Sequence, residues 1–177
     1  MAFENPQLTV DHIPKFQDST YEPLEPAYKK VIYGMTSIFV LLLLGLPISA
    51  YFGLEPDDEF RSITIYACIG IWLFISLIAL LVIGPAFRQK GYAVRDKDIS
   101  YKTGLISRTT TTIPFNRVQH CDIKQGLISR YFGLSKLNVY TAGGAKSDLS
   151  IPGLTSETAE KLMNYVLQKT LASDEEE

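Results

Sequence analysis

The chain has 177 residues, 46% apolar and 20% charged, with a formal net charge of −2. That composition is ordinary for a globular protein, but Val31–Leu54 and Ser62–Phe87 are runs of 24 and 26 residues without a charge. They exclude a simple soluble protein and leave only residues 88–177 to fold in water, too few for a large enzyme. Two cysteines exclude a disulfide-rich scaffold and a multi-cysteine zinc site.

Residues 1–30 contain Pro6, Pro14, Pro23 and Pro26 and no sustained periodicity. They predict an irregular arm with a charge of −2, in which Leu8, Val10, Ile13 and Phe16 are the apolar positions able to dock.

At about 1.5 Å per residue, the two uncharged runs make helices of roughly 36 and 39 Å. A bilayer core is about 30 Å thick, so residues 31–54 and 62–87 are each expected to cross it. Neither run has a polar face to show water. A signal peptide fits poorly, because the first run follows an acidic, proline-containing segment and precedes a second span. Pro47 is expected to kink the first span, since it lacks an N–H and crowds the preceding turn. Gly45 and Ser49 could let another helix approach closely. No Asp, Glu, Lys, Arg or His lies inside either span, which argues against a proton pump or ion-coupled transporter.

Residues 55–61 join the spans and carry four acids and one base. Outside the pair, Lys29 and Lys30 precede the first span, and Arg88 and Lys90 follow the second. The positive-inside rule then places both termini in the cytoplasm and the acidic loop outside. The expectation is a multi-pass membrane protein.

Beyond residue 91 the pattern turns to short β-rich runs. Expected strands are Tyr92–Arg95, Ile99–Lys102, Leu105–Phe115, Val118–Lys124, Leu137–Ala142 and Asp148–Ile151. They are punctuated by Asp96-Lys97-Asp98, Thr103-Gly104 and Gly143-Gly144. Thr109–Thr112 are four β-branched residues in a row, poor for helix and good for strand. Gly126–Gly133 suggests a short helical turn. A helix over about Ser156–Leu171 follows, capped by Thr155 or Ser156, with Glu157 and Glu160 at the positive end of its dipole. Ala159, Leu162, Met163, Val166 and Thr170 form one packing face. The pattern is an antiparallel sheet or barrel with a C-terminal helix over one opening, able to fold from residues 88–177 alone. Residues 173–177 end in a solvated acidic tail.

Catalytic chemistry is sparse. His120, Cys121 and Asp122 are consecutive, and strand neighbours point to opposite faces, so His120 and Cys121 are poor partners for one metal. The only other histidine is His12. No phosphate loop, dinucleotide fingerprint or nucleophile elbow occurs. Gly143-Gly144 reads as a hairpin turn rather than an anion nest. No catalytic residue, metal or cofactor is expected.

Four segments carry a family resemblance: KTGLISRTTTTIPFNRVQ (102–119), DIKQGLISRYFGL (122–134), LNVYTAGG (137–144) and IPGL (151–154). In this order, after two spans, the chain resembles YdbS-like bacterial membrane proteins with a bacterial pleckstrin-homology (PH) domain. The resemblance covers roughly residues 31–170. It implies a bent seven-stranded β-sandwich capped by a helix, the seventh strand being expected from a division of Leu105–Phe115. It also implies a protein of a bacterial cytoplasmic (inner) membrane without established enzymatic chemistry, often beside a larger membrane protein with several similar domains.

Charge supplies the functional expectation. Residues 88–154 carry eleven bases and four acids, whereas residues 155–177 carry two bases and six acids. The basic sheet portion is tethered to a leaflet whose anionic lipids attract bases. Nucleic acid is not expected, because no aromatic cluster accompanies the bases. Candidate lipid or partner contacts are Lys29, Lys30, Arg88 and Lys90 beside the spans, Arg95 and Lys97 in the first hairpin, and Arg117 and Arg130 in the family-like segments. For the last two a structural role is preferred: each donates to loop carbonyls or pairs with Asp122 or Asp148 and so fixes the fold. The expected role is a non-enzymatic module for protein–protein and anionic-lipid contact, a subunit of a membrane complex. The alternative is an accessory subunit of a transporter or envelope enzyme whose chemistry resides in another chain.

Overall fold

In a computed structural model, residues 20–53, 60–142 and 147–174 are described. Helix α1 (Pro26–Leu43) starts with a proline in its first turn, where a missing N–H costs nothing. Helix α2 (Gly45–Gly53) continues it after a break at Leu44. The break has the expected cause: Pro47 has no N–H to give the carbonyl of Leu43. Helix α3 (Arg61–Arg88) returns antiparallel, and Trp72 Nε1 donates to the Val40 carbonyl at 2.9 Å. Both helical stretches, Pro26–Gly53 and Arg61–Arg88, are 28 residues long and apolar enough to cross a membrane. Their most apolar windows are only 6% buried, whereas the core helix of a soluble protein is mostly covered.

The β domain has two antiparallel sheets. The first has the order β1 (Glu22–Pro23), β2 (Gly91–Val94), β3 (Asp98–Thr103), β4 (Thr109–Pro114). The second has the order β5 (Val118–Lys124), β6 (Leu134–Thr141), β7 (Leu149–Thr155). The sheets do not close into a barrel. A 3-10 turn, Phe115–Arg117, leads from one to the other, and helix α4 (Leu127–Tyr131) links β5 to β6. Ile99, Leu137, Val139 and Ile151 meet between the sheets with no exposed surface. Helix α5 (Ser156–Asp174) covers this core with Ala159 and Val166, also fully buried. Thr155 caps it, its Oγ1 accepting from the Thr158 N–H at 3.1 Å.

Several expectations need correction. The seventh strand is not a piece of Leu105–Phe115. It is Glu22–Pro23, from the segment expected to be irregular, paired with Tyr92 and Gly91. The long strand expected from Leu105 begins only at Thr109. Gly104 has φ of +110°, and a Cβ there would stand 1.8 Å from the Ser107 carbonyl oxygen, so this chain turns tightly instead of extending. β6 begins earlier than expected and β7 ends later. β7 tolerates Pro152 because it is an edge strand.

The first span likewise begins before Val31. Leu24 and Val31 are buried, and the Glu25 N–H donates to the Gly153 carbonyl at 3.1 Å. The β domain is therefore discontinuous: the helical pair is inserted between β1 and β2. Expectations for residues 1–19, for the acidic loop at 54–59, for Gly143-Gly144 and for the tail at 175–177 lie outside the described residues.

Candidate functional site

The end of the helical pair that joins the β domain carries two clefts. The smaller, about 280 Å³, is lined by Tyr21, Pro23, Arg88, Gln89, Lys90, Gly91, Lys102 and Arg108. Four of these residues are bases and none is an acid. The chain brings them together in three steps. Arg88 and Lys90 leave α3. β3 pairs Lys102 opposite Gly91. The tight turn after Gly104 then returns Arg108, whose Nε donates to Gln89 Oε1 at 3.2 Å. Aromatic rings support two of the ammonium groups: Lys102 Nζ is 5.6 Å from the Tyr21 ring centre and Lys90 Nζ 5.7 Å from that of Tyr28. Partial burial holds the Lys90 ammonium below its ordinary pKa, as expected for a cation partly removed from solvent.

The larger cleft, about 670 Å³, lies between α1 and the second sheet. Tyr28, Val31 and Met35 form its apolar wall, and Lys124, Gln125, Ser129, Ser135 and Lys136 its polar one. Lys124 and Lys136 are direct cross-strand partners, an unfavourable arrangement of like charges unless an anion sits near them. Asp122 supplies one, 3.1 Å from Lys124 Nζ. No described carboxylate pairs with Lys136.

Asp122 belongs to a polar ladder across β5, β6 and β7. It accepts from Asn138 and, at 2.9 Å, from Tyr140 Oη. Ser150 Oγ donates to Asn138 Oδ1 at 2.7 Å. Burial raises the Asp122 pKa, but the hydrogen bonds from Asn138, Lys124 and Tyr140 outweigh it and hold the carboxyl below its ordinary value. His120 stacks on Tyr140 with ring centres 4.2 Å apart. Cys121 packs toward the core, and burial pushes its thiol up to about 11. Among the described residues, no group of three or more His, Cys, Asp and Glu side chains could hold a metal.

The expected contact residues therefore separate into three places. Arg88 and Lys90 share the basic cleft. Lys29 and Lys30 lie close by on the first turns of α1, with Lys29 Nζ 5.7 Å from the Tyr33 ring centre. Arg95 and Lys97 lie at the opposite end of the β2–β3 hairpin, where Arg95 pairs with Asp98. Arg117 is exposed at that same far end, since Pro114 pairs with Asp98. Arg130 is exposed on α4. Neither Arg117 nor Arg130 pairs with Asp122 or Asp148, whose partners are Lys124, Asn138 and Tyr140 for the first and Thr141 for the second. Arg108 and Gln89 had no distinguishing sequence signal; only the β3 register and the Gly104 turn bring them to the cleft.

Comparison with known proteins gives the same architecture a family. The chain is 28% identical over 109 residues to the UPF0699 transmembrane protein YdbS of Bacillus subtilis (strain 168), covering 60% of this chain and 66% of that protein. It is 29% identical over 119 residues to the UPF0699 transmembrane protein YdbT of the same organism, covering 66% of this chain and 24% of that protein. The chain thus spans just under two thirds of the first relative and about a quarter of the second. No solved structure matches at a significant level. The bacterial PH domain family matches residues 31–170, most of the chain. This chain, with two apolar helices inserted into its β domain, belongs to the bacterial PH domain family as a YdbS-like membrane protein.

Proposed function

We propose that this protein is a non-enzymatic membrane module that holds its PH domain against an anionic leaflet, with the basic cleft of Arg88, Lys90, Lys102 and Arg108 taking a lipid phosphate. The two helical stretches span the bilayer, and both termini and the β domain lie on the cytoplasmic side. Four Lys/Arg flank the pair on that side, against Arg61 alone at the other end. The observation that carries the reading is the convergence of four bases, without an acid, at the β-domain end of an apolar helix. A phosphate there meets cations at the headgroup level without first having to leave the membrane. Each base near an anionic surface contributes about 1 kcal/mol.

Protein contact is the second part of the role. Arg95, Lys97 and Arg117 lie at the far end of the domain, away from the bilayer, where a partner protein is the accessible ligand. Similarity to a much longer transmembrane relative fits the proposal of a larger membrane companion within one complex.

Native mass spectrometry of the full chain in mild detergent tests the lipid reading. The protein should retain phosphatidylglycerol in preference to phosphatidylcholine. Replacing Lys90, Lys102 and Arg108 together with Gln should weaken that retention by roughly a hundredfold, three contributions of about 1 kcal/mol each. Equal retention of both lipids, unchanged in the variant, would contradict it.

A further inference from the structure

Among the described residues outside the helical pair, three large hydrophobic side chains are at least 86% exposed. Ile106 is 99% exposed at the tip of the β3–β4 turn, and Leu127 and Tyr131 are 90% and 86% exposed on α4. We propose that these residues insert into the acyl–headgroup boundary of the leaflet nearest the β domain. They would fix the domain's orientation by apolar contact, separately from the basic cleft. The inference rests on the helices spanning the bilayer, as proposed above.

The depth of α4 follows from its neighbour on α1. Tyr33 and Tyr51 stand eighteen residues apart, about 27 Å along a helix. That is close to the roughly 30 Å of a hydrocarbon core, and tyrosines favour its two boundaries. The next residue after Tyr33 is Gly34, where a Cβ would lie 3.9 Å from Ile128 Cγ2. Helix α4 is thus packed against α1 at the inner boundary, with Ile128 turned to the helix. Leu127 and Tyr131 are exposed at the same level. Tyr131 is amphipathic, suited to a boundary with one apolar and one wet side.

The β3–β4 turn reaches the boundary from the other sheet. β2 leaves the inner end of α3 and runs away from it, so β3 runs back toward the helices. Lys102 is level with Gly91, and Thr103 pairs with Thr109. The tight 104–108 turn therefore holds Ile106 at its tip, beyond the level of Gly91 on the side of the helices. The Arg108–Gln89 hydrogen bond ties the returning strand to the end of α3. Two apolar points from different sheets therefore flank the helical pair on its membrane side.

The test is tryptophan quenching in the full chain, reconstituted in phosphatidylcholine vesicles brominated along the acyl chains. Trp72 is the sole tryptophan, and its quenching in the unaltered protein reports spanning. In a Trp72→Phe background, Leu127→Trp and Ile106→Trp should each lose more than half of their emission and shift to the blue. Asn116→Trp, at the far end of the domain, should be unaffected. Phosphatidylglycerol should not be required, which separates apolar insertion from the basic cleft. Quenched Trp72 with unquenched Leu127→Trp and Ile106→Trp would overturn the inference and leave these side chains to a partner protein. Unquenched Trp72 would overturn the spanning reading and the inference with it.

Discussion

The ring of Tyr28 lies where a side chain on Gly153 would have to go: a Cβ there would stand 2.4 Å from the tyrosine Cγ. Gly153 also has φ of +67°, a region that L side chains rarely adopt. A membrane helix and the edge of the second sheet are thus in direct contact through a missing side chain. Gly133 provides a control, with φ of +64° and open space around it. Gly133→Ala should cost about 1–2 kcal/mol from backbone strain alone. Gly153→Ala should cost about 1–3 kcal/mol more from overpacking, and Tyr28→Ala in the same chain should recover that excess. Thermal unfolding of the three variants in detergent measures the difference; equal costs for the two glycine variants would remove Tyr28 from the junction.

The insertion of the helices between β1 and β2 changes what counts as a folding unit. A fragment of residues 88–177 lacks Leu24, the β1 pairing and the Glu25–Gly153 hydrogen bond. Losing one fully buried leucine costs about 2–5 kcal/mol, a large part of a small domain's stability. The fragment should show poor chemical-shift dispersion. Joining residues 20–30 to its start through a flexible linker should restore a dispersed spectrum, whereas equal dispersion without them would show that β1 is dispensable.

Much of this architecture was legible in the sequence, and the exceptions have physical reasons. Val118–Lys124 is legible to the residue from the apolar–polar alternation of Cys121, Asp122, Ile123 and Lys124, and the two long apolar runs dominate any hydropathy pattern. Glu22–Pro23 is different. Two residues, one of them proline, carry no strand period, and only their pairing with β2 defines them. Gly153 is an isolated glycine in a short run, so its role depends on a tyrosine 125 positions earlier. In the site, Arg88 and Lys90 could be read from their position after the second span. Lys102 and Arg108 join them through strand register and a glycine turn, which single-sequence spacing does not specify. Arg95 and Lys97, close in sequence to the bases at the cleft, are carried to the other end of a hairpin.

The polar ladder should have an acid signature. Because hydrogen bonds hold Asp122 below its ordinary value of 3.8, its ionised form stabilises the fold. That contribution is complete above the ordinary value and disappears as pH falls through the lower folded value. Asp122→Asn should therefore lower stability at neutral pH and flatten its decline below about pH 4. Asn138→Ala, which strips partners from Asp122 and Ser150 inside the sheet, should cost about 1–3 kcal/mol. Unfolding curves from pH 3 to 7 measure both effects; parallel curves for Asp122→Asn and the unaltered protein would contradict the assignment.

In a Cys68→Ser background, topology can be read with thiol reagents because Cys121, the other native cysteine, is quiet. With its thiol pushed up to about 11 by burial, it should react slowly at neutral pH. A cysteine at Asp58 should be modified by a membrane-impermeant reagent in intact spheroplasts, and one at Asn116 only after lysis. The reverse pattern would invert the orientation.

The central claim is that the basic cleft faces lipid phosphate, and cross-linking from inside the cleft tests it most directly. Gln89 lines the cleft without contributing charge, so a photoreactive phenylalanine there keeps all four positive charges, although it removes the acceptor of the Arg108 hydrogen bond. Irradiated in native membranes, the full chain should yield adducts carrying the mass of an anionic phospholipid. The same label at Asn116 should yield none. Adducts from position 89 with protein alone would contradict the lipid-facing cleft and assign this surface to a partner.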